Sequence, residues 1–427
     1  MWLYRTLCLL LAAALLCGGC RSQGGQTAGE HAAPGVTDTS ITLGSSLALS
    51  GHAGYLGTQT LRGALCYLRQ VNEDGGVNGR RIDLTVYDDS YDPPRCLANT
   101  QRLIIKDQVF ALFCYVGTPT TVKILPMVEE AGIPLLGMFT GANALREPFS
   151  RLLVNIRASY YQETAAAVRH LVADLGLRRI AVFYQYDAYG FDGLTGTELA
   201  LKTYGLEPVA RGSYVRGTLG VEEGFGKIRG SGAEAVVMIG TYGACARFIQ
   251  LARESRFSPL FYTVSFVGAE ELARRIGPRP GEVIIMSQVV PPVEAAERAE
   301  TAAEASAPAT VAAMAGGARR YARLLAKYYP DDKPNSVGLE GYYNAQVLVE
   351  ALRRAGRGLT RAGFIEALES IHGLELEPGL TASFGPANHQ GLERVFFTRL
   401  RDGRFVLVDS WSGLARELAA ARPGGRP

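Results

Sequence analysis

From residue 38 onward the chain alternates short apolar runs with stretches of helical periodicity, and this alternation restricts the fold more than any other feature. Ile41-Thr42-Leu43-Gly44-Ser45-Ser46-Leu47-Ala48-Leu49 reads as a buried strand and Thr58–Asn72 as a helix. Ile82–Tyr87 is a second strand and Pro94–Lys106 a second helix. Val109–Cys114 and Ile133–Leu136 are further strands, separated by a helix over Thr120–Ala131. Strands and helices alternating this closely imply βαβ units and a parallel sheet. A second series follows: Ile180–Tyr184, Ala235–Ile239 and Leu260–Val264 are continuous apolar runs, as in strands covered on both faces. Helical stretches near 161–175, 190–204 and 242–255 separate them. A chain of 427 residues exceeds one ordinary domain, so two such series predict an α/β protein with two similar lobes.

Beyond these series, Pro291–Gly317 shifts to Ala, Glu, Pro and Thr and reads as an exposed low-complexity insertion. Helices resume at Ala318–Tyr329, Leu339–Ala355 and Arg361–Ser370. The strands Val395–Leu400 and Phe405–Val408 flank the turn Arg401-Asp402-Gly403-Arg404, and the last seven residues read as frayed.

The N-terminus has its own logic. Arg5 precedes the apolar run Leu7–Leu16, which is too short to span a bilayer as a helix. The run ends at Cys17-Gly18-Gly19-Cys20 before a polar stretch. This resembles a bacterial lipoprotein signal, which implies lipidation of Cys20 and an extracytoplasmic, membrane-anchored product; a secreted chain cleaved nearby is the alternative. Residues 1–20 are then signal and 21–37 a flexible tether. Of the seven cysteines, Cys66, Cys96, Cys114 and Cys245 fall in the mature body, in no zinc-binding spacing. Cys96 should begin a helix and Cys114 end the next strand, both near one sheet edge. A Cys96–Cys114 bridge is one reading, and buried free thiols are the favoured one.

Several function classes are excluded. A net charge of +3, spread over 44 basic and 41 acidic residues without a basic block, argues against nucleic acid. A phosphate loop, a His-Glu-x-x-His helix and a Gly-x-Ser-x-Gly elbow are absent, and the five histidines are scattered. The chain therefore reads as a non-enzyme that needs no cofactor or metal.

Gly75-Gly76-Val77-Asn78-Gly79-Arg80-Arg81, then Asp88-Asp89, Asp92-Pro93, Ala131-Gly132-Ile133-Pro134, Asn155-Ile156-Arg157, Asp187-Ala188-Tyr189-Gly190, Glu340-Gly341-Tyr342 and Asp402-Gly403 occur in order. This series resembles type I periplasmic binding proteins, in particular the branched-chain amino-acid (Leu/Ile/Val) binding family of ABC transporters. The resemblance implies two Rossmann-like lobes joined by three crossovers, near Asn155–Ala158, Gln288–Pro292 and Gly385–Arg394. Lobe 1 would then be 38–155 plus 292–385, lobe 2 156–291 plus 386–412, and 413–427 a tail. A small solute is expected in the cleft, with a permease and its ATPase as partners; a receptor signalling to a separate partner is the alternative.

Strand ends facing the cleft should carry the contacts. The loop from Ser50 to Tyr55 contains glycines that let backbone approach a ligand. The resemblance places Thr118 where amino-acid binders use a serine hydroxyl on the ligand carboxylate. It places Phe139, Thr140 and Gly141 in the loop that holds carboxylate and ammonium, with Gly141 replacing the usual hydroxyl residue. Tyr189 matches a cleft tyrosine, Tyr160 follows the first crossover, and Tyr242 follows a strand end. Ser265 stands where α-amino-acid binders carry a glutamate for the ligand ammonium, while Glu270 and Glu271 are expected on the next helix, facing solvent. A buried ammonium without a carboxylate is costly. A carboxylate, amide or aromatic solute lacking an α-ammonium is therefore expected.

Overall fold

The computed structural model describes residues 33–279, 281–293 and 315–421. The expected signal, Cys20, most of the Pro291–Gly317 insertion and residues 422–427 lie outside the described residues. The first sheet has the order β2-β1-β3-β4-β5 and is parallel throughout. Its strands are β1 (Ser40–Leu47), β2 (Arg81–Asp88), β3 (Ala111–Phe113), β4 (Leu135–Leu136) and β5 (Leu153–Val154). The second sheet has the order β14-β13-β10-β9-β8-β6-β7. In it β6 (Ile180–Gln185), β7 (Arg211–Tyr214), β8 (Ala235–Ile239), β9 (Leu260–Thr263) and β10 (Ile284–Gln288) run parallel, while β13 (Phe396–Arg401) and β14 (Arg404–Leu407) form an antiparallel edge. A small pair, β11 (Leu374–Glu377) and β12 (Leu380–Ala382), completes the strands described.

Helices cover both sheets, as parallel strands require. They are α1 (Gly54–Glu73), α2 (Pro93–Ile105), α3 (Thr118–Ala131), α4 (Tyr160–Arg169), α5 (Ala188–Lys202), α6 (Glu222–Arg229), α7 (Tyr242–Glu254), α8 (Ala269–Ile276), α9 (Ala315–Tyr328), α10 (Ser336–Ala355), α11 (Arg361–Glu369) and α12 (Trp411–Ala421). The chain leaves the first sheet between β5 and α4 and returns after β10. Helices α10 and α11 then share a core with β1 and β3, through Leu339, Leu348 and Phe364 against Leu43 and Phe113. A third passage leads from β12 to β13. Two α/β lobes result.

Local chemistry fixes the helix starts. Asp92 accepts from Arg95 N–H with Pro93 at the first helical position. Ser159 and Gln162 form a capping box on α4, and Asp187 accepts from Tyr189 N–H at 3.0 Å. Helices α1 and α10 meet at glycines: a Cβ on Gly63 would lie 1.8 Å from the Gly338 carbonyl, and one on Gly341 2.1 Å from that of Thr60. This approach seats the neighbouring Glu340 in the interior. The turn after β13 has φ of 49° at Asp402 and 79° at Gly403, the left-handed pair that a two-residue hairpin requires.

Of the two readings of the cysteines the favoured one holds: Cys96 and Cys114 are not bridged, and all four described thiols are buried and free. Cys96 packs with Leu103 and Tyr115, near Asp89 and Ser46, whereas Cys114 belongs to the other core and receives Asn344 Nδ2 at 3.7 Å. The expected tail from 413 is largely helix α12: Trp411 stacks on His170 at 3.9 Å and Leu414 is buried beneath it.

Candidate functional site

The strand ends of the two sheets face one another, and aromatic rings close the space between them. Tyr91 and Phe139 come from the first lobe; Tyr160, Tyr189 and Phe266 come from the second. None is more than 1% exposed. Phe266, on the turn after β9, lies 5.9 Å from Tyr91, 5.6 Å from Phe139 and 4.7 Å from Tyr189, and Tyr160 lies 5.3 Å from Tyr189. These are favourable separations for aromatic pairs. Tyr91 stands in a loop with φ of 52° at Ser90 and 62° at Tyr91, and Asp89 accepts from Tyr91 N–H at 2.8 Å. Burial pushes the Asp89 carboxyl up to about 6. Across the gap, Tyr214 O–H donates to Gln185 Oε1 at 2.9 Å and accepts from Thr241 N–H at 2.9 Å, while Gln185 Nε2 reaches Tyr91 Oη at 3.5 Å.

The expected contact residues fall in four groups. Thr118, Phe139, Thr140, Gly141, Tyr160 and Tyr189 gather at the centre. The Thr118 and Thr140 hydroxyls bond each other at 2.7 Å, and the helix cap before α3 is Gly117, with no side-chain bond. Gly141 accepts from Tyr160 N–H at 2.7 Å, and a Cβ there would sit 2.7 Å from the Tyr160 ring. The absence of a hydroxyl side chain at 141 thus follows from the ring beside it. Tyr160 Oη is buried with no hydrogen-bond partner among the described residues, and Tyr189 Oη donates to the Gly240 carbonyl at 3.1 Å. Tyr55 and Tyr242 form an edge-on pair at 6.2 Å toward one side. Ser50 stands apart: it is exposed, and its hydroxyl serves Asp88 at 2.5 Å and Ser90 at 2.6 Å within its own loop.

Ser265 sits in a charged network that no local pattern signalled. Its N–H and O–H donate to Glu163 at 2.8 and 2.9 Å, and Arg157 Nη2 donates to its hydroxyl. Arg157 also pairs with Glu163 at 2.7 Å and Glu340 at 3.3 Å, with its side chain 2% exposed. Ser287 O–H donates to Glu163 Oε2, the oxygen that also accepts from Ser265 N–H. Arg157 lies on the passage between the lobes, Glu163 on α4 of the second lobe and Glu340 on α10 of the first, so one guanidinium ties both lobes to the hinge. Burial pushes the Glu340 carboxyl up to about 7, against the pull of Arg157. Burial opposes the charge on Arg157, but Glu340 and Glu163 hold it firmly protonated.

Glu270 corrects a second expectation: with Glu271 it does open α8, yet it turns inward. Its Oε1 accepts from Ser336 N–H at 2.9 Å and Ser336 O–H at 3.1 Å, so a second-lobe carboxylate caps the start of α10 in the first lobe. Glu271 is also buried and holds Arg274 and Arg275 at 2.7 and 2.8 Å. Asp192 makes a comparable bridge by accepting from Asn143 N–H at 2.9 Å, and burial pushes its carboxyl up to about 6. These bonds describe lobes closed on one another. Beside them, next to Tyr55, an inter-lobe recess of about 450 Å³ remains open.

A model of the periplasmic binding protein family matches residues 40–404. The chain is 24% identical over 392 residues to Leu/Ile/Val-binding protein homolog 7 of Brucella abortus, covering 88% of this chain and 92% of that one. Among solved structures it is similar to a possible leucine/isoleucine/valine-binding protein from Rhodopirellula baltica, with 31% identity, a TM-score of 0.78 and coverage of 88% and 98%. It also shares the fold of a leucine-binding protein from Thermotoga maritima, at 17% identity, a TM-score of 0.72 and coverage of 86% and 97%. The chain belongs to the periplasmic binding protein family, whose members bind solutes outside the cytoplasm. No described helix is long and apolar enough to cross a membrane.

Proposed function

We propose that this protein is the solute-capturing component of an ABC importer, without enzymatic activity, and that its solute lacks an α-ammonium group. Lobe 1 (38–155 and 292–385) and lobe 2 (156–291 and 386–412) close on the solute, and the closed form docks on a permease coupled to an ATPase. A lipid on Cys20 tethers the protein to the membrane. One observation carries the ligand reading. At the strand end where amino-acid binders place a glutamate stands Ser265, and the adjacent carboxylate, Glu163, is saturated by Arg157, Ser265 and Ser287. An ammonium brought there would meet a guanidinium instead of a free carboxylate, a costly arrangement in a buried site. The rings of Phe139, Tyr160, Tyr189 and Phe266, with the hydroxyls of Thr118 and Thr140, suit an apolar or aromatic body carrying a few polar groups.

A thermal-shift screen tests the reading, because a ligand that binds the folded state raises the melting temperature by mass action. The panel pairs leucine and phenylalanine with the corresponding carboxylates and amides that lack the α-amine. Shifts confined to the amine-free compounds are expected. A shift with leucine or phenylalanine would sink the ligand assignment.

A further inference from the structure

The ring cluster between the strand ends is packed shut, with Tyr91, Phe139, Tyr160, Tyr189 and Phe266 at most 1% exposed. Open space lies instead in the adjoining recess. Its volume of about 450 Å³ is within the range of small-molecule sites. Gln59, Lys333 and Asn335 line it from the first lobe, and Arg274, Arg404 and Phe405 from the second. An occupant touching both walls gains its contacts only when the lobes are closed, which is what a solute must do to favour closure.

A chain of hydrogen bonds fixes which polar atoms the first-lobe wall offers. Asn335 Oδ1 caps α10 by accepting from Gly338 N–H at 2.7 Å, so the other end of that amide is its nitrogen. Asn335 Nδ2 in turn donates to Gln59 Oε1 at 2.7 Å and to the Lys333 carbonyl at 3.0 Å. Gln59 is thereby oriented too: its oxygen is taken and its Nε2 is left. Gln59 is 8% exposed, yet Nε2 donates to no described residue. That nitrogen is not one of the fully enclosed atoms, and the space Gln59 borders is this recess. A largely buried N–H without an acceptor is costly, so the wall lacks an acceptor here.

The charges point the same way. The Asn335 amide holds the Lys333 backbone beside Gln59, and the exposed Lys333 ammonium has no acidic partner among the described residues. Arg274 and Arg404 stand on the facing wall. The two acids bordering the recess are committed: Glu271 holds Arg274 and Arg275, while Glu270 accepts from Ser336 and its second oxygen is enclosed. Burial also pushes the Glu270 carboxyl up. An occupant therefore meets donors and positive charge, and neither acid is free to receive an N–H.

We propose that this recess holds a carboxylate of the solute, and that Gln59 and Lys333 determine this specificity. Gln59 donates Nε2–H to a carboxylate oxygen, and Lys333 balances the charge. The proposal rests on the solute-capture reading and deepens it by choosing carboxylate over amide as the head group.

Calorimetry on the full chain tests it with isocaproate and hydrocinnamate, the amine-free counterparts of leucine and phenylalanine, against their primary amides. The parent is expected to bind at least one carboxylate about tenfold more tightly than its amide. Gln59→Glu keeps the oxygen that Asn335 needs and replaces the donor by a negative oxygen. It should weaken carboxylate binding about tenfold or more and leave amide binding no weaker. Lys333→Gln, at an exposed position, should weaken carboxylate binding about threefold at low ionic strength, with the ligand-free melting temperature unchanged. Should Gln59→Glu melt below the parent, Lys333→Gln carries the test. Unchanged carboxylate affinity in a variant that melts like the parent overturns the proposal, as does silence toward both carboxylates. An amide that binds as tightly as its carboxylate overturns it too, while leaving solute capture intact. Binding of leucine or phenylalanine would strike the ligand reading beneath it as well.

Discussion

Replacement of Arg157 by methionine removes the counter-charge from two buried carboxylates while roughly conserving the volume of the side chain. The side chains of Glu163 and Glu340 are 0% and 5% exposed, and the guanidinium bridges them at 2.7 and 3.3 Å. Breaking a buried pair by deleting one partner costs about 3–5 kcal/mol, because a charge is left without compensation. At about 2–4 °C per kcal/mol for lobes of this size, the melting temperature should fall by roughly 6–20 °C. The loss has a pH signature. Burial already lifts Glu340 from 4.5 to about 7 with Arg157 in place, and removing the arginine lifts it further. A carboxyl whose folded pKa lies above its unfolded value destabilises the fold least when it is protonated in both states. The penalty therefore grows as pH rises from the unfolded value through the folded one. Urea unfolding at pH 5 and pH 8 should show a deficit for Arg157→Met that shrinks by half or more at the lower pH. Adding Glu340→Gln should recover part of the stability at pH 8. A deficit under about 1 kcal/mol at pH 8, or one equal at both pH values, would refute the argument, since it matches neither a buried ion pair nor a coupled carboxyl.

Glu340→Gln alone should flatten the parent's loss of stability between pH 4.5 and about 7, an effect of at most ~3.5 kcal/mol at ~1.4 kcal/mol per pKa unit; an unchanged pH profile would contradict the placement of this group. In a chain begun at residue 33, Cys66, Cys96, Cys114 and Cys245 should resist a thiol reagent until denaturant is added and then all react, because each is buried and burial pushes the Cys66 thiol up to about 12; fewer than four reactive thiols after denaturation would indicate a bridge. Gly341→Ala should cost about 1–3 kcal/mol through overpacking, since its Cβ would lie 2.1 Å from the Thr60 carbonyl; an undiminished melting temperature would show that α1 and α10 separate freely.

The sequence by itself determined the two series of parallel strands, most helix limits and the family. These follow from periodicity and capping, which depend on residues adjacent in the chain: Val236, Val237 and Met238 read as a doubly covered strand wherever they fold. The strands β5, β7, β10, β11 and β12 escaped that reading; Arg211-Gly212-Ser213-Tyr214, for one, is an edge strand without an apolar run. At the site, the positions of Phe139, Thr140, Tyr160 and Tyr189 were legible, because strand ends converge in this fold. Tyr91 and Phe266 were not, since an aromatic residue in a loop carries no local mark of the lobe it will meet. Ser265 was noticed for a missing charge, but the charges around it arrive from Arg157, Glu163 and Glu340, separated by up to 183 residues in the chain. The inward turn of Glu270 likewise depends on Ser336, at a separation of 66. Which buried charges compensate one another is a property of lobes brought together, and only the tertiary structure decides it.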